Sequence, residues 1–176
     1  MPYSLSEETK NAINSFELPS KVGFGTTISP IMIEADYENE KWSELSIRPY
    51  EKISLYPTAK VFHYAQEIFE GLKAYKSPQG EPLLFRPEKN ADRFNYSARR
   101  MAMPELPSDM FLDACRLMTY LCKDFIPKDS GSSLYIRPFM FATEATLGIK
   151  PSESFKFMTL SSPSGSYFTS AGLNVY

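Results

Sequence analysis

Fourteen prolines are spread over 176 residues, and their spacing sets the first limit on the fold. Proline lacks a backbone donor and clashes with the preceding helical turn, so it ends helices and sits at the edges and bends of sheets. A helix bundle is excluded; short strands and many turns are expected. Pro87 is well placed as the first residue of a helix reaching Met101, with an apolar stripe of Ala91, Phe94, Ala98 and Met101. Pro104 and Pro107 close it. Ser108 then reads as the N-cap of a second helix over 109–125, with Phe111, Ala114, Cys115, Met118, Leu121, Cys122 and Phe125 on one side.

Around these helices the pattern predicts strands over 22–27, 31–37 and 46–54, the last bent at Pro49. Residues 5–14 read as a loose helix and 62–69 as a helical turn. A strand from 71 to 75 and a return strand over 83–86 form a hairpin about the turn Ser77-Pro78-Gln79-Gly80. Further strands are expected over 132–142 and 155–160, and Trp42 is expected to lay its ring on the sheet edge. Ser161 to Ser166 has the composition of a linker, and the chain stops on a strand-like run as though interrupted. Strands joined by tight turns with two helices in mid-chain give an α+β class with a largely antiparallel sheet.

Composition excludes several functions. A net charge of -2 offers no basic surface for a nucleic acid. No apolar run is long enough to span a membrane, and Glu7, Glu8 and Lys10 interrupt any signal-peptide core, so a cytoplasmic protein is expected. Cys115 and Cys122 read as reduced core thiols, and a single histidine, His63, leaves no metal site in view.

Two segments could carry chemistry. Alternation along 134–141 puts Leu134, Ile136, Pro138 and Met140 on one face, and Tyr135, Arg137, Phe139 and Phe141 on the other. A cation on an aromatic face is either a guanidinium stacked on rings with its tip in water, or the fork of an apolar pocket that receives a carboxylate. On the first long helix Lys89 and Arg93 are four apart, a like-charge pair. An anion such as a phosphate beside them would remove the repulsion; solvation on an exposed face would also serve. The residues alone lead no further than an α+β domain with an aromatic pocket.

His63-Tyr64-Ala65-Gln66-Glu67-Ile68-Phe69-Glu70-Gly71-Leu72-Lys73-Ala74-Tyr75 resembles a signature segment of the branched-chain aminotransferases. Phe85-Arg86-Pro87 with Asn90-Ala91-Asp92-Arg93-Phe94, the strand Ser133-Leu134-Tyr135-Ile136-Arg137-Pro138, and Gly165-Ser166-Tyr167-Phe168 resemble three more segments of that family, in the same order. The resemblance implies the small N-terminal domain of the D-amino-acid-aminotransferase-like fold, over 21–162. An extension, 1–20, would precede it, and the start of an interdomain linker, 163–176, would follow. It implies pyridoxal 5'-phosphate as cofactor, with Arg93 on its phosphate. Phe24, Tyr64, Phe69 and Tyr135 would wall the substrate side chain, and Arg137 would engage the distal carboxylate of glutamate or 2-oxoglutarate. Leu147 and Ile149 would reach the partner's site in a homodimer, and Tyr167 would lie in a mobile segment. The branched-chain amino acids would be the other substrates. The lysine that bonds the cofactor would lie beyond Tyr176, since Lys73 reads as solvated, so this chain alone is expected to be inactive. A stand-alone binding module is a rival reading. A D-amino-acid aminotransferase or aminodeoxychorismate lyase of the same fold is another, and the combined motifs speak against it.

Overall fold

Every strand pairing is antiparallel, as turn-linked strands require. The computed structural model describes residues 4–165. Its strands are β1 (Ile31–Glu38), β2 (Lys41–Trp42), β3 (Ser46–Pro49), β4 (Glu67–Phe69), β5 (Leu72–Lys76), β6 (Pro82–Leu84), β7 (Ser133–Ala142) and β8 (Phe155–Ser164). They form one sheet in the order β2-β1-β8-β7-β5-β6, with β3 paired to β1 and β4 to β7. The helices are α1 (Glu7–Asn14), α2 (Lys60–Tyr64), α3 (Pro87–Arg100) and α4 (Ser108–Leu121). The expected α+β class with an antiparallel sheet is the class observed.

The alternation expected along β7 holds. Leu134, Ile136 and Met140 are fully buried in the core that α3 and α4 cover with Ala91, Phe94, Ala98, Phe111, Ala114, Cys115 and Met118. Phe94 meets Phe111 at 5.3 Å and Phe157 at 5.8 Å between ring centroids. Each such buried aromatic contributes about 1.5–3 kcal/mol over an exposed one. The opposite face carries a smaller cluster of Met32, Phe141 and Met158, with Phe139 and Leu160 beside it. Trp42, on the edge strand β2, packs its ring 5.2 Å from Tyr37 and donates its indole N–H to Glu105 O at 3.0 Å. That bond ties the sheet edge to the α3–α4 connection.

Several boundaries differ from expectation. Residues 22–27 form no strand; Gly25 has φ +70°, and just past the segment Ser29 donates its N–H to Ser161 O. β3 stops at Pro49, which has no N–H to extend the ladder. The expected turn over 62–69 divides into α2 and β4, because Ala65 adopts a left-handed conformation and ends the helix. Pro87 is the first residue of α3, but Met101 lies half exposed past its end. α4 begins at Ser108 with Pro107 as its cap, so Ser108 is not the cap itself. It ends at Leu121, and a 3-10 turn, Lys123–Phe125, follows; Ile126 is extended, as a residue before proline prefers. The linker-like serines continue β8 to Ser164, where they pair with 133–136 and are buried. Small side chains suit that crowded stretch, and the Ser161 hydroxyl donates to Ser29 Oγ at 2.7 Å. α1 is better formed than expected: Ser6 caps it by accepting the Thr9 N–H, and Phe16, just beyond it, meets Phe125 at 4.5 Å.

Candidate functional site

On the face of β7 away from the helices, Tyr135 and Arg137 follow each other at the pleat spacing. Arg137 donates from Nε and Nη2 to Tyr135 Oη at 3.2 and 3.0 Å. Its guanidinium carbon lies 4.3 Å from the centre of the Phe69 ring, which β4 supplies from the neighbouring strand. Phe24, from the irregular segment before β1, meets Tyr135 at 5.0 Å. Phe24, Phe69, Tyr135 and Arg137 thus share one aromatic surface, and Phe69 keeps 62% of its area exposed. Among the described residues no carboxylate pairs with Arg137. An arginine bonded to a neutral hydroxyl rather than a carboxylate, on an aromatic wall, suits a ligand with an apolar body and an anionic end.

One residue past Phe69 the chain turns Glu70 to the helix side, 3% exposed. Arg93 of α3 donates to it from Nε and Nη2 at 2.5 and 2.8 Å, and Asn90 Nδ2 donates at 2.8 Å. Burial alone would raise the Glu70 carboxyl. The Arg93 and Asn90 hydrogen bonds, the Arg93 charge and the Gly71 N–H together hold it below its ordinary value of 4.5. Lys89, for its part, bonds Asp92 at 2.9 Å. The like-charge pair on α3 is therefore resolved by two carboxylates of the chain itself, and it requires no outside anion. Arg93 nevertheless keeps 68% of its side chain exposed, and the fork nitrogen Nη1 is not spent on Glu70.

Tyr64, Leu147 and Ile149 form another group, where α2 meets the loop between β7 and β8. Tyr64 donates its hydroxyl to Leu147 O at 2.5 Å. Tyr64 and Ile149 both line a cleft of about 490 Å³ with Gln66, Arg100 and Met101. Ile149 is 94% exposed. The loop is held by Lys60, a fully buried ammonium that donates to Glu144 Oε2 and Lys150 O at 2.9 Å and to Pro151 O at 3.2 Å. Nothing in the sequence near Lys60 marks it, because its partners lie 84 to 91 residues away. Glu70 was likewise readable only as part of a motif.

Tyr167 lies outside the described residues. Lys73 is exposed on β5, and the His63 ring sits 2.9 Å from Pro57 O. Both cysteines are buried reduced thiols, Cys122 pushed up to about 11 by burial. Among the described residues no cluster could hold a metal ion, and no helix is long and apolar enough to cross a membrane.

No family model matches the sequence. The chain is 48% identical over 151 residues to branched-chain-amino-acid transaminase 1 of Bacillus subtilis (strain 168), a match covering 85% of this chain and 42% of that protein. It is 40% identical over 172 residues to a branched-chain-amino-acid aminotransferase of Mycolicibacterium smegmatis, covering 96% and 47%. The chain therefore spans less than half the length of these curated relatives. Among solved structures, the Escherichia coli branched-chain amino acid aminotransferase matches with a TM-score of 0.54 at 24% identity, over 77% of this chain and 41% of that one. The branched-chain aminotransferase of Thermoproteus uzoniensis with norvaline matches at 0.55 and 15%, over 78% and 43%. The fold is that of the fold type IV aminotransferases. Within that class the sequence matches narrow the likeness: over 85% or more of its own length the chain is similar to branched-chain-amino-acid aminotransferases.

Proposed function

We propose that this chain supplies the substrate-pocket half, 21–162, of an enzyme that moves amino groups between leucine, isoleucine or valine and 2-oxoglutarate. The observation that carries the reading is Arg137, which among the described residues pairs with no carboxylate, on the aromatic face of Phe24, Phe69 and Tyr135. Aliphatic side chains would lie against the rings. The distal carboxylate of glutamate or 2-oxoglutarate would take the guanidinium, so one surface serves both substrates of a transamination.

The residues also fit pyridoxal 5'-phosphate. Arg93 is oriented by Glu70 yet mostly exposed, which suits a guanidinium awaiting a phosphate oxygen. That cofactor supplies the electron sink for transamination when bound. This chain's own residues bind and orient: Arg93 holds the phosphate, Phe69 and Tyr135 exclude water from the side chain, and Arg137 selects its end group. The lysine that moves the α-proton would come from the second half of the enzyme. Leu147 and Ile149 would complete the site of the other copy in a homodimer, Tyr64 would wall the substrate side chain, and Tyr167 would lie at the interdomain connection. A biosynthetic, cytoplasmic role accords with this reading.

The chain, completed with the second half found in its relatives, should convert leucine and 2-oxoglutarate. Arg137→Met in that enzyme should raise KM for 2-oxoglutarate about tenfold or more, the worth of a charged hydrogen bond, and change KM for leucine little. Equal losses for both substrates would sink the assignment of Arg137.

A further inference from the structure

Tyr135 reaches Arg137 across a space that belongs to another residue. β4 and β5 keep a single register against β7, Phe69 facing Phe139 and Leu72 facing Ile136. Gly71, between them, therefore stands opposite Arg137 and on the same face as Phe69 and Tyr135. A Cβ built at Gly71 would lie under 3.0 Å from Tyr135 Oη and 3.1 Å from Cε2 and Cζ. The tip of the tyrosine ring thus fills the place of the missing side chain. Backbone conformation gives no reason for glycine here, because residue 71 has no left-handed φ, unlike Gly25, Gly80 and Gly131. The need is for room alone.

That room has a consequence for charge. Tyr135 Oη accepts both Arg137 Nε and Nη2, so the hydroxyl's position fixes the plane and direction of the guanidinium. Phe69 supports the same plane from 4.3 Å away. We propose that Gly71 is a positioning residue for substrate selection: its bare Cα seats the Tyr135 hydroxyl, which aims Arg137 at a carboxylate-bearing side chain. The proposal rests on the reading of Arg137 given above. Gly71 itself need touch no substrate.

A double-mutant cycle tests it in the completed enzyme, using glutarate and 4-methylvalerate as unreactive probes and calorimetry to measure binding. Gly71→Ala should weaken glutarate about tenfold, since the charged fork is displaced, and 4-methylvalerate by less than about threefold. Tyr135→Phe should behave similarly. Because it removes the atom nearest the new methyl group, leaving 3.1 Å contacts that a shift of a few tenths of an ångström relieves, Gly71→Ala should add no further loss in the Tyr135→Phe background. That double variant also controls for folding: it should fold even if Gly71→Ala alone does not. Losses that multiply, or an equal loss for both probes, would overturn the role of Gly71 while leaving Arg137 intact. Glutarate binding that survives Arg137→Met would overturn both readings.

Discussion

Lys60 and Glu144 show how much one residue can hold. Glu144 is kept below its ordinary carboxyl value of 4.5: burial acts to raise it, but the Lys60 hydrogen bond, the Glu153 N–H and the Lys60 and Lys150 charges outweigh that. Removing one partner of a buried pair leaves a charge uncompensated, which costs about 3–5 kcal/mol where the remaining charge is sealed, as Lys60 is, and less where it reaches water and a second cation, as Glu144 does. Glu144→Ala should therefore destabilise by about that amount and Lys60→Met by less than half of it, measured by urea unfolding; equal losses would refute the asymmetry. Glu70 and Glu144 both have folded-state values below those of the unfolded chain. Their contribution is complete above about pH 4.5 and disappears as pH falls through the lower folded-state values. Stability should decline with acid from that point, and Glu70→Gln should make the decline shallower.

The elements divide by whether their causes are local. α3 was legible because Pro87 starts it and Ala91, Phe94 and Ala98 recur at the helical period. β7 was legible because its alternation is strict, and so was its arginine on the aromatic face. The far end of β8 was not: Ser161, Ser162 and Ser164 take strand form because 133–136 lie alongside, a cause more than twenty residues away. The opposite error affected 22–27, whose β-prone residues form no strand. In the site, the Glu70–Arg93 bond was hidden for the same reason: its partners lie 23 residues apart, so only the like-charge pair on α3 showed. Asn95 shows the scale of such non-local ties: it donates to Leu106 O at 2.8 Å and accepts the Leu106 N–H at 2.9 Å, both buried. Asn95→Ala strands two backbone groups, each costing about 1–3 kcal/mol, and should loosen the α3–α4 connection. Hydrogen exchange at Leu106 would reveal this, and unchanged protection there would contradict it.

For the molecule as a whole, the sheet has two unlike faces. One is sealed by α3 and α4; the other offers Phe24, Phe69, Tyr135 and Arg137 as a half-open surface. A fold of this kind separates what stabilises it from what recognises a ligand, so substitutions on the open face can alter binding with small cost to folding. The sole tryptophan sits where the sealed side is closed, its indole bonded to the strap that joins the two helices. One natural fluorophore therefore reports the docking of one layer on the other. Its emission should redden in step with the loss of far-ultraviolet dichroism if both layers melt together, and ahead of it if the helices lift away first.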